Sequence, residues 1–131
     1  MLCIAYSENC KLFYVFTVHR PFRPEPPVAS EVHATSCTVT YQPPSDDGGA
    51  PVTGYVLERC TPGPDSKWIT VNHTPVTVLQ YIIGNLTPAT EYEFRVAAVN
   101  KAWTGFFSQM SSKISTAKSD ETAVVSPPQV N

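Results

Sequence analysis

Residues 91–99 alternate, with Tyr92, Phe94, Val96 and Ala98 on one parity and Glu91, Glu93, Arg95 and Ala97 on the other. A period of two belongs to a strand with one face buried and one face wet. The apolar parity is mostly aromatic or β-branched, which suits a pleated surface better than a helix. Leu86 and Pro88 stand just ahead of Tyr92. A tyrosine that opens a strand and bonds back to the backbone a few residues upstream is the tyrosine corner of β-sandwiches. The rest of the chain can be placed around this strand.

The sequence has 131 residues, room for one domain and a fragment of another. Its 13 prolines break it into short alternating runs, and no long helical pattern intervenes. The runs predict strands over 28–32, 36–41, 53–60, 68–71, 80–84, 91–99 and 110–116. Cys37, Val39 and Tyr41 face inward on the second, and Tyr55 and Leu57 on the third. The loop 42–51, Gln-Pro-Pro-Ser-Asp-Asp-Gly-Gly-Ala-Pro, is dense in turn residues. The fold expected is all-β, a seven-stranded antiparallel sandwich of two sheets. Its predicted core comprises Tyr41, Tyr55, Leu57, Trp68, Leu86, Tyr92, Phe94 and Val96.

Composition removes several function classes. Nine basic and eleven acidic residues, without a Lys/Arg cluster, leave no footprint for nucleic acid or an acidic membrane. No apolar run reaches the ~18 residues that cross a bilayer. Asp46 and Asp47 read as a solvated turn, because no further carboxylate lies at calcium-loop spacing. His33 and Cys37 have helical metal spacing on a strand–turn–strand segment, so a structural role is expected and no metal site. His73 and Asp65 lie in loops without a nucleophile elbow, and no glycine-rich loop precedes a helix. No catalytic residue and no cofactor are expected.

Cys3, Cys10, Cys37 and Cys60 show no Cys-x-x-Cys pair. Free thiols suit a reducing cytosol, while a Cys37–Cys60 disulfide would suit an oxidising compartment. Asn72-His73-Thr74 and Asn85-Leu86-Thr87 are glycosylation sequons that matter if the chain is secreted. Both compartments are compatible with these features.

A family pattern now becomes legible. Pro26-Pro27, Tyr41-x-Pro43-Pro44, the block from Asp46 through Gly54-Tyr55 to Glu58-Arg59, Trp68, Leu86-x-Pro88, and Tyr92-x-Phe94-x-Val96-x-Ala98-x-Asn100 resemble a fibronectin type III domain. The block from Asp46 to Arg59 is most similar to the type III modules of the titin, myosin-binding protein C and myomesin group. The resemblance spans residues 26–117. It implies a non-enzymatic structural and protein-binding module of a modular immunoglobulin/type III scaffold, sarcomeric or cytoskeletal, which spaces, tethers and bears load. The implied partners are neighbouring immunoglobulin or type III domains, myosin and other filament proteins, in the cytoplasm. The alternative is a module of an extracellular adhesion protein or receptor.

Residues 1–19, with Cys3 and the run Phe13, Val15, Phe16, Val18, resemble the end of an immunoglobulin-like domain, expected to be partly disordered. On that reading the chain is a fragment or isoform of a longer protein. Residues 20–25 are expected to be a proline-rich linker and 118–131 a flexible tail.

Two departures from the family pattern stand out. Tyr41 replaces a core tryptophan, so its hydroxyl must find a partner or sit near an edge. Trp103 stands where the family often has a glycine at positive φ, which would strain a bulky residue. Beside it, Lys101, Trp103, Phe106 and Phe107 form the candidate protein-binding group, since aromatics with a cation are typical of binding hot spots. The alternative is that Phe106 or Phe107 folds over the end of the core while Trp103 stacks on its own sheet. On the wet face, Glu58 and Arg59 are expected to neighbour Glu93 and Arg95. They would form ion pairs of about 0.2–1 kcal/mol each, or dock a filament.

Overall fold

A computed structural model describes residues 17–119. The strands are β1 Val28–Ser30, β2 Cys37–Thr40, β3 Gly54–Cys60, β4 Ile69–Thr70, β5 Gln80–Ile83, β6 Glu91–Val99 and β7 Ile114–Ser115. They form two antiparallel sheets, β1-β2-β5 and β4-β3-β6-β7. β6 takes its predicted bounds and is the longest, and β3 pairs along it from Gly54 opposite Val99 to Cys60 opposite Glu93. Between the sheets, Cys37, Val39, Tyr41 and Ile83 meet Tyr55, Leu57, Phe94 and Val96, with Leu86 and Tyr92 at one end. All of these are buried.

Of the three core tyrosines, Tyr92 and Tyr41 bond their hydroxyls to the backbone. The Thr87 amide donates to the Tyr92 hydroxyl at 2.9 Å, which closes the corner. Tyr41 donates its hydroxyl to the Val78 carbonyl at 2.7 Å and packs its ring 5.0 Å from Tyr55. The smaller ring therefore stays in the core because it has found an acceptor.

Trp68 is a correction: it lies half-buried outside the core. Thr70 pairs with outward-facing Glu58, and Trp68 shares its parity two residues earlier, so its ring is on the outer face of the four-stranded sheet. There it covers the Arg95 guanidinium at 4.4 Å.

The expected strand 110–116 shrinks to β7 because two serines replace part of the ladder. The Phe94 amide donates to Ser111 Oγ at 3.0 Å and the Val96 amide to Ser108 Oγ at 3.1 Å. Ser108 and Ser111 in turn donate their own amides to the Val96 and Phe94 carbonyls, both at 2.8 Å. These contacts recur every three residues on one strand and every two on the other, so the segment bulges. β1 stops at Ser30, before Glu31, which adopts φ +49°.

Cys37 and Cys60 are free, buried thiols. Burial pushes the Cys37 pKa up to about 11, and raises that of Cys60 with a smaller contribution from Glu93. Residues 1–16 of the immunoglobulin-like stretch, with Cys3 and Cys10, and residues 120–131 of the tail lie outside the described residues.

Candidate protein-contact site

One end of the sandwich is built from three segments: 17–22, the loop 46–49 and the loop 100–107. Asn100, directly after β6, joins them. Its side-chain nitrogen donates to the carbonyls of His19 at 2.9 Å and Asp47 at 3.0 Å. Its side-chain oxygen accepts the Ala102 and Trp103 amides at 2.9 and 2.8 Å. An asparagine here satisfies loop groups that no strand partner reaches. It also lets Trp103 take a position that requires no positive φ, so the feared strain at this residue is absent.

The stretch expected to begin a linker is tied to this end. The His19 and Phe22 amides donate to the Gly48 and Asp46 carbonyls, both at 2.8 Å. The Phe106 amide donates to the Pro21 carbonyl at 3.2 Å, and Pro21 is fully buried. Gly105 permits that approach, since a Cβ there would lie 2.6 Å from the Pro21 oxygen. Gly48, at φ +82°, takes a turn conformation costly for other residues. Asp46 and Asp47 each accept the amide two residues on at 2.8 Å, so their carboxylates shape the turn.

The four candidate residues do not act as one group. Trp103 and Phe106 stay 46% and 47% exposed with Arg20 between them, its guanidinium 5.4 Å from one ring and 5.6 Å from the other. The Trp103 indole also donates to the Val18 carbonyl at 3.1 Å. Lys101 is exposed beside them. Phe107 turns to the outer face of the four-stranded sheet, 4.3 Å from Arg95 on the side chain that Trp68 also covers. Arg95 is thus held by two rings and by Glu58, whose carboxylate it meets at 2.6 Å. Of the two expected ion pairs this one forms. Glu93 instead accepts a weak contact from the Cys60 thiol at 3.9 Å, and Arg59 lies 5.6 Å from the Tyr92 ring.

Arg20 and Pro21 were not singled out by sequence reasoning, which placed Arg20–Glu25 in a linker. Their role depends on loops about 80 residues away in sequence, as the separation of 81 between Asn100 and His19 shows. No local pattern carries that signal.

His33 is exposed and Cys37 buried, so they do not converge. Among the described residues no group of three or more His, Cys, Asp or Glu is placed to hold a metal ion. No helix among them is long and apolar enough to cross a membrane. The Asn72 side chain is buried, accepting the Leu57 amide at 2.9 Å and donating to the Tyr55 and Thr74 carbonyls at 3.0 and 2.8 Å. It bonds β3 beyond the end of the two-residue β4, where a main-chain partner would otherwise stand. Asn85 is exposed at φ +58°.

The fibronectin type III domain profile matches residues 22–114. The chain belongs to the fibronectin type III family. Chicken cardiac-type myosin-binding protein C is 39% identical over 80 residues, which is 61% of this chain and 6% of that protein. Human myomesin-2 is 39% identical over 64 residues, 49% of this chain and 4% of that protein. The chain therefore spans a small part of these relatives' length. In three dimensions it is similar to domains A168–A170 of titin, with a TM-score of 0.70 and 31% identity over 75% of this chain and 32% of that one.

Proposed function

We propose that this type III domain is a non-enzymatic spacing and protein-contact module of a modular immunoglobulin/type III scaffold in the sarcomere. The observation that carries this reading is the end surface where Trp103 and Phe106 stand half-exposed around Arg20, directly over the clamped entry of the chain. Large half-exposed rings with an arginine are the composition of contact surfaces, and a soluble domain seldom leaves such a patch uncovered. Because residues 18–22 are bonded to both loops, tension or orientation arriving from upstream passes directly into the sandwich. The similarity to myosin-binding protein C, myomesin and titin supports a muscle setting, with neighbouring modules and filament proteins such as myosin as partners.

The test is the position of the full chain in striated muscle cells. A tagged chain should decorate the sarcomere periodically, and the Trp103→Ala, Phe106→Ala pair should lose most of that striation. Its melting temperature should fall by roughly 5–15 °C, since both rings are half-buried, while unfolding stays cooperative. Diffuse or secreted wild-type protein would overturn the muscle reading. Striation indifferent to the alanine pair would overturn the role of this surface.

A further inference from the structure

The end surface lies where the chain enters the domain. Trp103, Phe106 and Phe22 are 46%, 47% and 51% exposed, a concentration of large rings at one pole. The Trp103 indole holds the Val18 carbonyl, so the chain immediately before Val18 starts in contact with the patch. That upstream sequence is Lys11-Leu12-Phe13-Tyr14-Val15-Phe16, an unbroken run of five apolar or aromatic residues after one lysine.

We infer that the segment Leu12–Phe16 of this chain is the occupant of the Trp103–Phe106 surface. The inference rests on reading this end as a protein-contact surface and names what contacts it. Reach is sufficient: at about 3.3 Å per residue, positions 16 to 12 fall within roughly 7–20 Å of Val18. Both parities of the segment are apolar, Leu12, Tyr14 and Phe16 on one and Phe13 and Val15 on the other, so an extended chain presents an apolar face in either orientation. The point from which the segment departs is fixed, because Pro21 is buried and His19 and Phe22 are bonded to the loop 46–49. Covalent attachment supplies the concentration: a short tether holds its partner at about millimolar effective concentration. An apolar contact with a dissociation constant below about a millimolar is then occupied most of the time, and a filament partner binds this surface by displacing the segment.

The experiment labels both tryptophans of the full chain with 5-fluorotryptophan and adds a soluble gadolinium chelate. Trp68, stacked on Arg95 at the sheet face, is the internal control for folding and for general accessibility. The comparison chain carries Leu12→Ser, Phe13→Ser, Val15→Ser and Phe16→Ser. The relaxation enhancement of the Trp103 fluorine should rise at least about twofold in this variant, as expected when an apolar cover is removed, while that of Trp68 is unchanged. Equal enhancement at Trp103 in the two chains overturns the assignment. Loss of striation in the alanine pair would then still support the contact surface, so failure of the occupant and failure of the surface are read separately.

Discussion

At Tyr41 a ring fills the core while its hydroxyl donates to the Val78 carbonyl. Burial, with smaller contributions from Tyr55 and Tyr81, pushes its pKa up to about 12 from the ordinary 10. The consequence for stability follows from linkage. Below pH 10 the hydroxyl is protonated in both states and contributes fully. Between pH 10 and about 12 the unfolded chain releases the proton while the folded chain retains it, so stability falls as pH rises. The prediction is that wild type loses more stability than Tyr41→Phe between pH 10 and 12, measured by urea unfolding at each pH. Parallel curves for the two proteins would sink it. Asn72 teaches a related lesson. A sequon is legible in three letters, but its amide is spent on the Leu57 and Tyr55 backbone of β3, so in a secreted chain Asn85 would be the acceptor of the two.

Among the elements, β6 and the segment after it show the limits of periodicity. β6 keeps its predicted bounds because β3 pairs along it from Glu93 to Val99 and β7 takes up Glu91 and Tyr92. The return segment instead uses Ser108 and Ser111 side chains where carbonyls would normally accept. Ser111→Ala should leave the Phe94 amide buried without its acceptor, a cost of about 1–3 kcal/mol. For a domain of this size that lowers the melting temperature by roughly 5–15 °C. The exposed neighbour changed by Ser112→Ala should shift stability by no more than about 0.5 kcal/mol. Calorimetry on the two variants decides, and equal melting temperatures would remove the serines from the ladder. The short β4 explains Trp68 in the same terms. Its register with Glu58 sends the ring to the outer face, a choice that a lone tryptophan in a short run does not announce.

For the whole molecule, the relation between the entering chain and the sandwich matters most. Asn100 holds His19, the loop 46–49 and its own loop together. Pulled by its two ends, the wild-type chain should keep residues 17–22 in place until the sandwich itself yields. Asn100→Ala should release them earlier, adding about 20 Å of extension at low force from six residues of near-extended chain. Force traces with no early step in the variant would show that the clamp does not depend on Asn100.

By itself the sequence determined the sandwich, most of its core and the tyrosine corner. These depend on alternation and turn residues, which act over a few positions and are written in the local order of the chain. The family resemblance also set Glu58 and Arg59 beside Glu93 and Arg95, while the register that puts Glu58 opposite Arg95 came from the fold. Only the tertiary structure decided that Trp68 covers Arg95 outside the core, that Phe107 parts from Trp103 and Phe106, and that the supposed linker begins inside the domain. Each of those depends on a contact between residues far apart in sequence, up to 85 positions for Trp103 and Val18. Such contacts are fixed by how two sheets and three loops close around one core, a property of packing that no local pattern encodes.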